Sequence, residues 1–187
     1  MRIVAGTFRG RPLVAPKGHL TRPTADRTRQ AIFNVLEHAA WAPDLNGARA
    51  LDLFAGSGAL GLEALSRGAE TCLFVERAEP ARDAIRANLA ALKLEGRARI
   101  VRRDAAALAP RTTADGAPFD LVFLDPPYGE GLGEAALPRL ADGGWLAAEA
   151  VAVLERGADD AQTIPAGFEL IDARRWGPAQ VSFLKLA

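Results

Sequence analysis

The chain has 187 residues, 49% of them hydrophobic, and its 23 Lys and Arg balance 23 Asp and Glu; this is material for one ordinary domain with a full core. One cysteine excludes an internal disulfide, the sparse Cys and His exclude a zinc cluster, and no apolar run approaches membrane-spanning length. The zero net charge hides an asymmetry: residues 1–29 carry seven Arg and Lys against one acid, a net +6, so the other 158 residues carry −6. A basic arm on an acidic body suits a polyanionic partner for the arm. Met-Arg-Ile-Val-Ala-Gly at the N-terminus is not the apolar stretch of a secretory signal, so a cytoplasmic location is expected.

Residues 1–20 alternate weakly, through Ile3-Val4-Ala5 and Pro12-Leu13-Val14, and read as two short strands of a hairpin presenting Arg9 and Arg11. Arginines so placed can make bidentate contacts with phosphates. A helix is expected next, with Thr24 as its N-cap, because Ile32, Val35, Leu36 and Ala39 recur at helical spacing. Arg27 and Arg29 fall in its first turn, the wrong end of a helix dipole for cations and so a hint of function. Residues 43–47 form the boundary, giving a hairpin-plus-helix arm at 1–46 and a second domain at 47–187.

Ala50–Phe54 is a short apolar run broken by Asp52, expected to be a buried parallel strand. Gly56, Gly58 and Gly61 follow and open a helix that ends near Gly68. A strand turning through glycines into a helix exposes backbone N–H groups to a nucleotide-type ligand. The spacing fits the dinucleotide fingerprint, but Asp52 would face the anionic pyrophosphate of NAD, whereas a phosphate-free cofactor bearing an ammonium would welcome it. Asp52-x-Phe54-x-Gly56-x-Gly58 resembles the corresponding loop of S-adenosylmethionine-dependent methyltransferases. The second strand, Thr71–Val75, ends at Glu76, which is 20 residues beyond Gly56 and placed to accept ribose hydroxyls. A helix opened by Pro80 and a third strand at Arg99–Val101 lead to Asp104, which can take an adenine amino group, cap the next turn, or do both.

After a loop at 110–118, a fourth strand, Phe119–Leu124, runs into Asp125-Pro126-Pro127-Tyr128. The prolines remove two donors and fix the chain, so the Pro126 carbonyl and the Asp125 carboxylate stand as acceptors beside the Tyr128 ring. That arrangement suits a planar substrate carrying an NH₂ group, stacked on the ring. Gly129–Gly133 reads as a loop able to close over substrate, followed by a short helix at Ala135–Leu140. A fifth strand is expected around Val151–Leu154, and Phe168–Asp172 with Val181–Leu186 form a closing antiparallel pair. The expected fold is α/β, Rossmann-like, with a seven-stranded, mostly parallel sheet.

With these motifs in hand, the chain resembles the bacterial 16S ribosomal RNA guanine-N2 methyltransferases, the RsmD family. The likeness rests on Arg22-Pro-Thr with the Asp-Arg that follows, on the glycine loop through Leu62-Glu63-Ala64, on Asp125-Pro-Pro-Tyr and on Trp145-Leu-Ala. It implies methyl transfer from S-adenosylmethionine to the exocyclic N2 of a guanine in 16S rRNA, within the 30S subunit or its precursor, by a monomer needing no metal. It also implies cofactor contacts at Asp52, Phe54, Gly56, Gly58, Glu76 and Asp104, and chemistry at Asp125, Pro126, Pro127 and Tyr128. Arg9, Arg11, Arg22 and Arg27 are expected to hold RNA. The competing activities are N-methylation of DNA adenine-N6 or of a protein glutamine, and NAD(P)-dependent redox chemistry, which Asp52 and the want of a substrate domain disfavour.

Overall fold

The computed structural model describes residues 1–16 and 23–187. Seven strands form one sheet in the order β3-β2-β1-β4-β5-β7-β6. The first five are β1 (Arg49–Leu53), β2 (Thr71–Val75), β3 (Ala98–Val101), β4 (Phe119–Leu124) and β5 (Leu146–Gly157), with β6 (Phe168–Trp176) and β7 (Ala179–Leu186) completing the sheet. Strands β1 to β5 pair in parallel, and β7 runs antiparallel to both β5 and β6. Helix α1 covers Pro23–His38, α2 Ala59–Ser66, α3 Glu79–Leu92 and α4 Leu132–Asp142.

Side-chain alternation explains the layering. Along β4, Leu121 and Phe123 join a core containing Ile32, Phe33, Leu36, Phe74, Ile85 and Phe183, whereas Val122 and Leu124 join a second core with Leu137, Leu140 and Trp145. Successive residues of a strand point to opposite faces, so a strand apolar at every position must be covered on both sides. Helices α1 to α3 contribute to the first core and α4 to the second. Phe33, with no exposed surface, packs on Phe123 at 5.4 Å between ring centroids, burial worth about 1.5–3 kcal/mol.

The arm belongs to this packing. Ile3 and Leu13 lie in the same core as Phe74 and Phe123, and the expected hairpin is short: an antiparallel bridge between Arg2 and Pro12, with Ile3 N–H donating to the Arg11 carbonyl at 3.0 Å, Gly10 N–H to the Ile3 carbonyl at 2.9 Å and Leu13 N–H to the Met1 carbonyl at 3.1 Å. Other backbone groups of the arm find partners on α2: Val4 and Ala5 N–H donate to the Glu63 carboxylate at 2.8 and 2.9 Å, and Thr7 N–H to the Ser66 carbonyl at 2.8 Å. A segment satisfied by helix α2 has no need of a longer ladder. Helix α1 starts at Pro23, so Thr24 falls inside its first turn instead of capping it, and Arg22 lies outside the described residues. Helix α4 begins three residues earlier than the apolar spacing suggests and takes in Gly133, whose side-chain position is filled by Leu154.

Candidate active site

Parallel strands align their carboxyl ends, and the connection after β1 leaves toward β2 while that after β4 leaves toward β5. The chain therefore diverges between β1 and β4, the crevice where open α/β sheets bind ligands. Asp52 and the glycine turn, Glu76, Asp104, Asp125 and Glu155 all stand along this edge, at or just past the ends of β1, β2, β3, β4 and β5.

The three glycines of the turn serve different ends. Gly56 has φ +55° and its side-chain position is open, so it leaves room for a ligand against the backbone. Gly58, φ +77°, caps α2 in the left-handed conformation, and a Cβ there would lie 3.1 Å from Ile85 Cγ1. Gly61 is a packing position: a Cβ there would come within 2.6 Å of Cys72 Sγ and closer still to the Phe74 ring. Phe54 also takes positive φ, 58°, a strained conformation for a side-chain-bearing residue that the surrounding turn imposes.

Asp52 lies beneath the turn, 1% exposed, and accepts the Gly61 N–H at 2.9 Å. Burial pushes its carboxyl up to about 8; the Gly61 hydrogen bond opposes this and the nearby Glu76 charge adds to it. Glu76 closes the same turn from the side, one oxygen accepting Gly56 N–H at 2.9 Å and the other Ala78 N–H at 2.7 Å. Each oxygen keeps acceptor capacity for a hydroxyl. Asp104 caps a short 3₁₀ turn by accepting Ala106 N–H at 3.0 Å, and its carboxylate stands 3.7 Å from Arg77.

The second half of the edge is built differently. Leu124 of β4 is in register with Leu154 of β5, so Asp125 and Glu155 follow as neighbours on adjacent strand ends. Protein crowding pushes the Asp125 carboxyl well above the usual carboxylate range, with the charges of Glu155 and then Asp52 adding to the effect. Burial raises Glu155 as well, and a hydrogen bond from the Tyr128 hydroxyl, 2.6 Å to Glu155 Oε1, works against it. Pro126, Pro127, Tyr128 and Glu155 line a concavity of about 320 Å³, at the small end of the range of ligand pockets, roughly 300–1,000 Å³. The Gly129–Gly133 loop beside it is tied at one end, because Gly129 N–H and Gly157 N–H both donate to Asp160 Oδ2, at 3.1 and 2.9 Å.

The basic residues of the arm divide into two groups. Arg29, whose place near the helix start hinted at function, is 3% exposed and pairs with Asp26 at 2.8 Å and Glu63 at 3.4 Å; it forms a buried structural ion pair. Arg11 donates to the Ala91 carbonyl at 3.1 Å. Arg9 and Arg27, with Arg2, Asp26 and Gln30, line a concavity of about 510 Å³ on the arm itself. Three residues given no role in the sequence reading prove central. Glu63 is wholly buried yet receives two backbone N–H groups and two arginines. Asn88 joins the arm to the glycine turn, donating to Val14 and Ser57 carbonyls at 3.0 and 3.1 Å. Glu155 is hidden in sequence just after the apolar run Val151–Leu154.

The fold is that of a Rossmann-like methyltransferase, as in the solved structure of the putative methyltransferase yhhF from Escherichia coli, which superposes with TM-score 0.83 at 38% identity over 100% of this chain and 97% of that one. A putative methylase from Haemophilus influenzae gives TM-score 0.78 at 29% identity over 99% of this chain and 97% of that one. The family model described as conserved hypothetical protein 95 matches residues 1–185. Ribosomal RNA small subunit methyltransferase D of Escherichia coli (strain K12) is 42% identical over 171 residues, covering 91% of this chain and 82% of the relative. Putative rRNA methyltransferase YlbH of Bacillus subtilis (strain 168) is 46% identical over 134 residues, 70% of this chain and 68% of the relative. The chain belongs to this family, the small-subunit rRNA methyltransferases D.

Proposed function

We propose that the protein transfers a methyl group from S-adenosylmethionine to the exocyclic N2 of a guanine in 16S rRNA, within the 30S subunit or its precursor. The observation that carries this reading is the run of acids along one carboxyl edge, Asp52, Asp125 and Glu155, beside a glycine turn with open space at Gly56. Glu76 already takes the Gly56 N–H that a pyrophosphate would use, and the acids along the edge offer acceptors to hydroxyl, amino and cationic groups. S-adenosylmethionine fits it, supplying an electrophilic methyl group on a sulfonium and carrying no phosphate. Gly56 and Gly58 would admit it against the backbone, Asp52 and Phe54 would line the turn, Glu76 would accept its ribose hydroxyls, and Asp104 its adenine amino group.

The remaining work falls to Asp125-Pro126-Pro127-Tyr128. The guanine N2 lone pair is delocalised into the ring, which makes the amine a poor nucleophile. Acceptance of its hydrogens by the Asp125 carboxylate and the Pro126 carbonyl draws the lone pair back onto nitrogen, and the Tyr128 ring, 44% exposed, offers a stacking face. Once the nitrogen bears the fourth substituent it carries a positive charge, and Asp125, already accepting one of its hydrogens, takes the proton. Positioning of this kind contributes several kcal/mol, with an upper range of about 7–11. The target base leaves its stack to enter the concavity.

Residues 1–46 act as the RNA-holding arm and 47–187 as the catalytic body. Arg9 and Arg27, and Arg22 beyond the described residues, take phosphates, while Arg11 divides its hydrogen bonds between RNA and helix α3. The test is labelled S-adenosylmethionine offered to naked 16S rRNA, 30S subunits and DNA, followed by nucleoside mass spectrometry. N2-methylguanosine in the rRNA is the expected product; methyladenine in DNA would overturn the reading.

A further inference from the structure

Glu155 has no part in the chemistry assigned to the Asp-Pro-Pro-Tyr segment, yet it stands in the same concavity. Leu124 and Leu154 are paired in register, and residues paired across a sheet project to the same side, so the side chains one step on, Asp125 and Glu155, lie next to each other. Glu155 is held in place: Tyr128 donates its hydroxyl to Oε1 at 2.6 Å, and the turn after β5 is fixed to the loop after Tyr128 through Asp160. A carboxylate is an acceptor only, with two oxygens and about four acceptor sites, so the bond from Tyr128 leaves capacity for a donor on a ligand. Glu155 lines the concavity and Asp125 stands beside it on the neighbouring strand end, so the two carboxyl groups together call for two adjacent donors.

Guanine presents that pattern. On its Watson–Crick edge the N2 amino group lies beside the N1–H, whereas adenine sets an amino group beside a bare N1 lone pair. We propose that Glu155 is the specificity-determining residue of the site, its carboxylate accepting the N1–H of the target guanine while Asp125 accepts the neighbouring N2–H. The inference rests on the guanine-N2 reading above and deepens it. It accounts for why this strand end keeps two acids side by side despite their mutual repulsion, which donors from the base would relieve. A site built around a hydrogen bond rejects an analogue lacking that donor by far more than shape alone can, because its acceptor is then left unpaired.

The experiment compares two substrates that both carry the reacting amine. Once the modified nucleotide has been located, rRNA is ligated from fragments with either guanosine or 2-aminopurine riboside at that position; the latter keeps the 2-amino group but has a lone pair at N1. Methylation kcat/KM and, with no methyl donor present, RNA affinity are measured for both. The wild type should favour guanosine by roughly 100-fold or more in kcat/KM. In Glu155→Gln the amide oxygen can keep accepting from Tyr128 while its NH₂ faces N1, so the preference should fall by at least about tenfold and tend toward inversion. Tyr128→Phe, which keeps the ring and frees Glu155 from its tether, should lower the ratio part of the way. Equal use of both RNAs by the wild type overturns the proposal, since that arm needs no variant. So does an unchanged ratio in Glu155→Gln, which would mark Glu155 as a tether for Tyr128 alone. Failure of the underlying reading looks different: mass spectrometry would then find no guanine N2 product even in the wild type with its guanosine substrate, and this inference would fall with it.

Discussion

The two halves of the carboxyl edge handle the same chemical group in opposite ways. Beneath the glycine turn, the carboxylates of Asp52 and Glu76 are held by backbone N–H groups from Gly61, Gly56 and Ala78. At the ends of β4 and β5, Asp125 and Glu155 confront each other, relieved within the protein by the Tyr128 hydroxyl. The first arrangement uses its acids to shape a rigid cradle. The second keeps acceptors in reserve for donors that only a substrate brings. A carboxylate satisfied by the fold is architecture, and one crowded by its own kind is poised for a ligand.

The largest effect should follow from removing the reserve. Asp125→Ala is expected to lower turnover by about 10³-fold or more while methyl-donor affinity changes less than about twofold. Labelled-methyl incorporation beside calorimetry checks this, and a parallel loss of donor affinity would erase the distinction between the two halves.

Glycine substitutions then divide the cradle itself. Gly61→Ala should destabilise the fold by about 1–3 kcal/mol, since its methyl collides with Cys72 and Phe74. Gly56→Ala meets only open space, so its cost is confined to the φ of +55°, about 1 kcal/mol, and its chief defect should be in donor binding. Denaturant titration against calorimetry separates the pair. If Gly56→Ala unfolds as easily as Gly61→Ala while binding normally, the cradle assignment is wrong.

Asp52 gives the comparison a pH axis. Its carboxyl is pushed up to about 8 by burial in the folded chain, against about 3.9 when unfolded. The folded state therefore holds a proton that the unfolded state has lost between these limits, and stability should decline as pH rises through that window and level off above it. Asp52→Asn should flatten the decline, which urea midpoints from pH 5 to 9 would reveal. An equal slope in both proteins would assign it to another group.

The smallest effect belongs to the arm, which should touch neither half. Arg9→Ala with Arg27→Ala removes two cations from the concavity of the arm, and each arginine–phosphate pairing removed should reduce the salt slope of rRNA binding by about 0.7–0.9. Donor affinity and kcat on saturating RNA should stay as they are. Filter binding at several salt concentrations measures the slope, and an unaltered value would make the arm's charge a matter of surface solvation.

What the sequence by itself determined is what depends on local pattern. Strands β2 and β4 fall on the residues their apolar runs indicate, and helix α3 follows the spacing of Ala84, Ala87 and Ala91. The glycine turn and Asp125-Pro-Pro-Tyr announce themselves because proline and glycine restrict or free the backbone within a few residues. Only the tertiary structure decided which charges are used up internally. Arg29 reads as a misplaced surface cation until Glu63, 34 positions away, is brought against it. Glu63 reads as an ordinary helix acid until the arm's backbone docks on it, and Glu155 as a strand terminus until the β4–β5 register sets it beside Asp125. A charged side chain looks alike in sequence whether it faces water, a buried partner or a ligand. The difference lies in desolvation and in long-range neighbours, and packing alone supplies both.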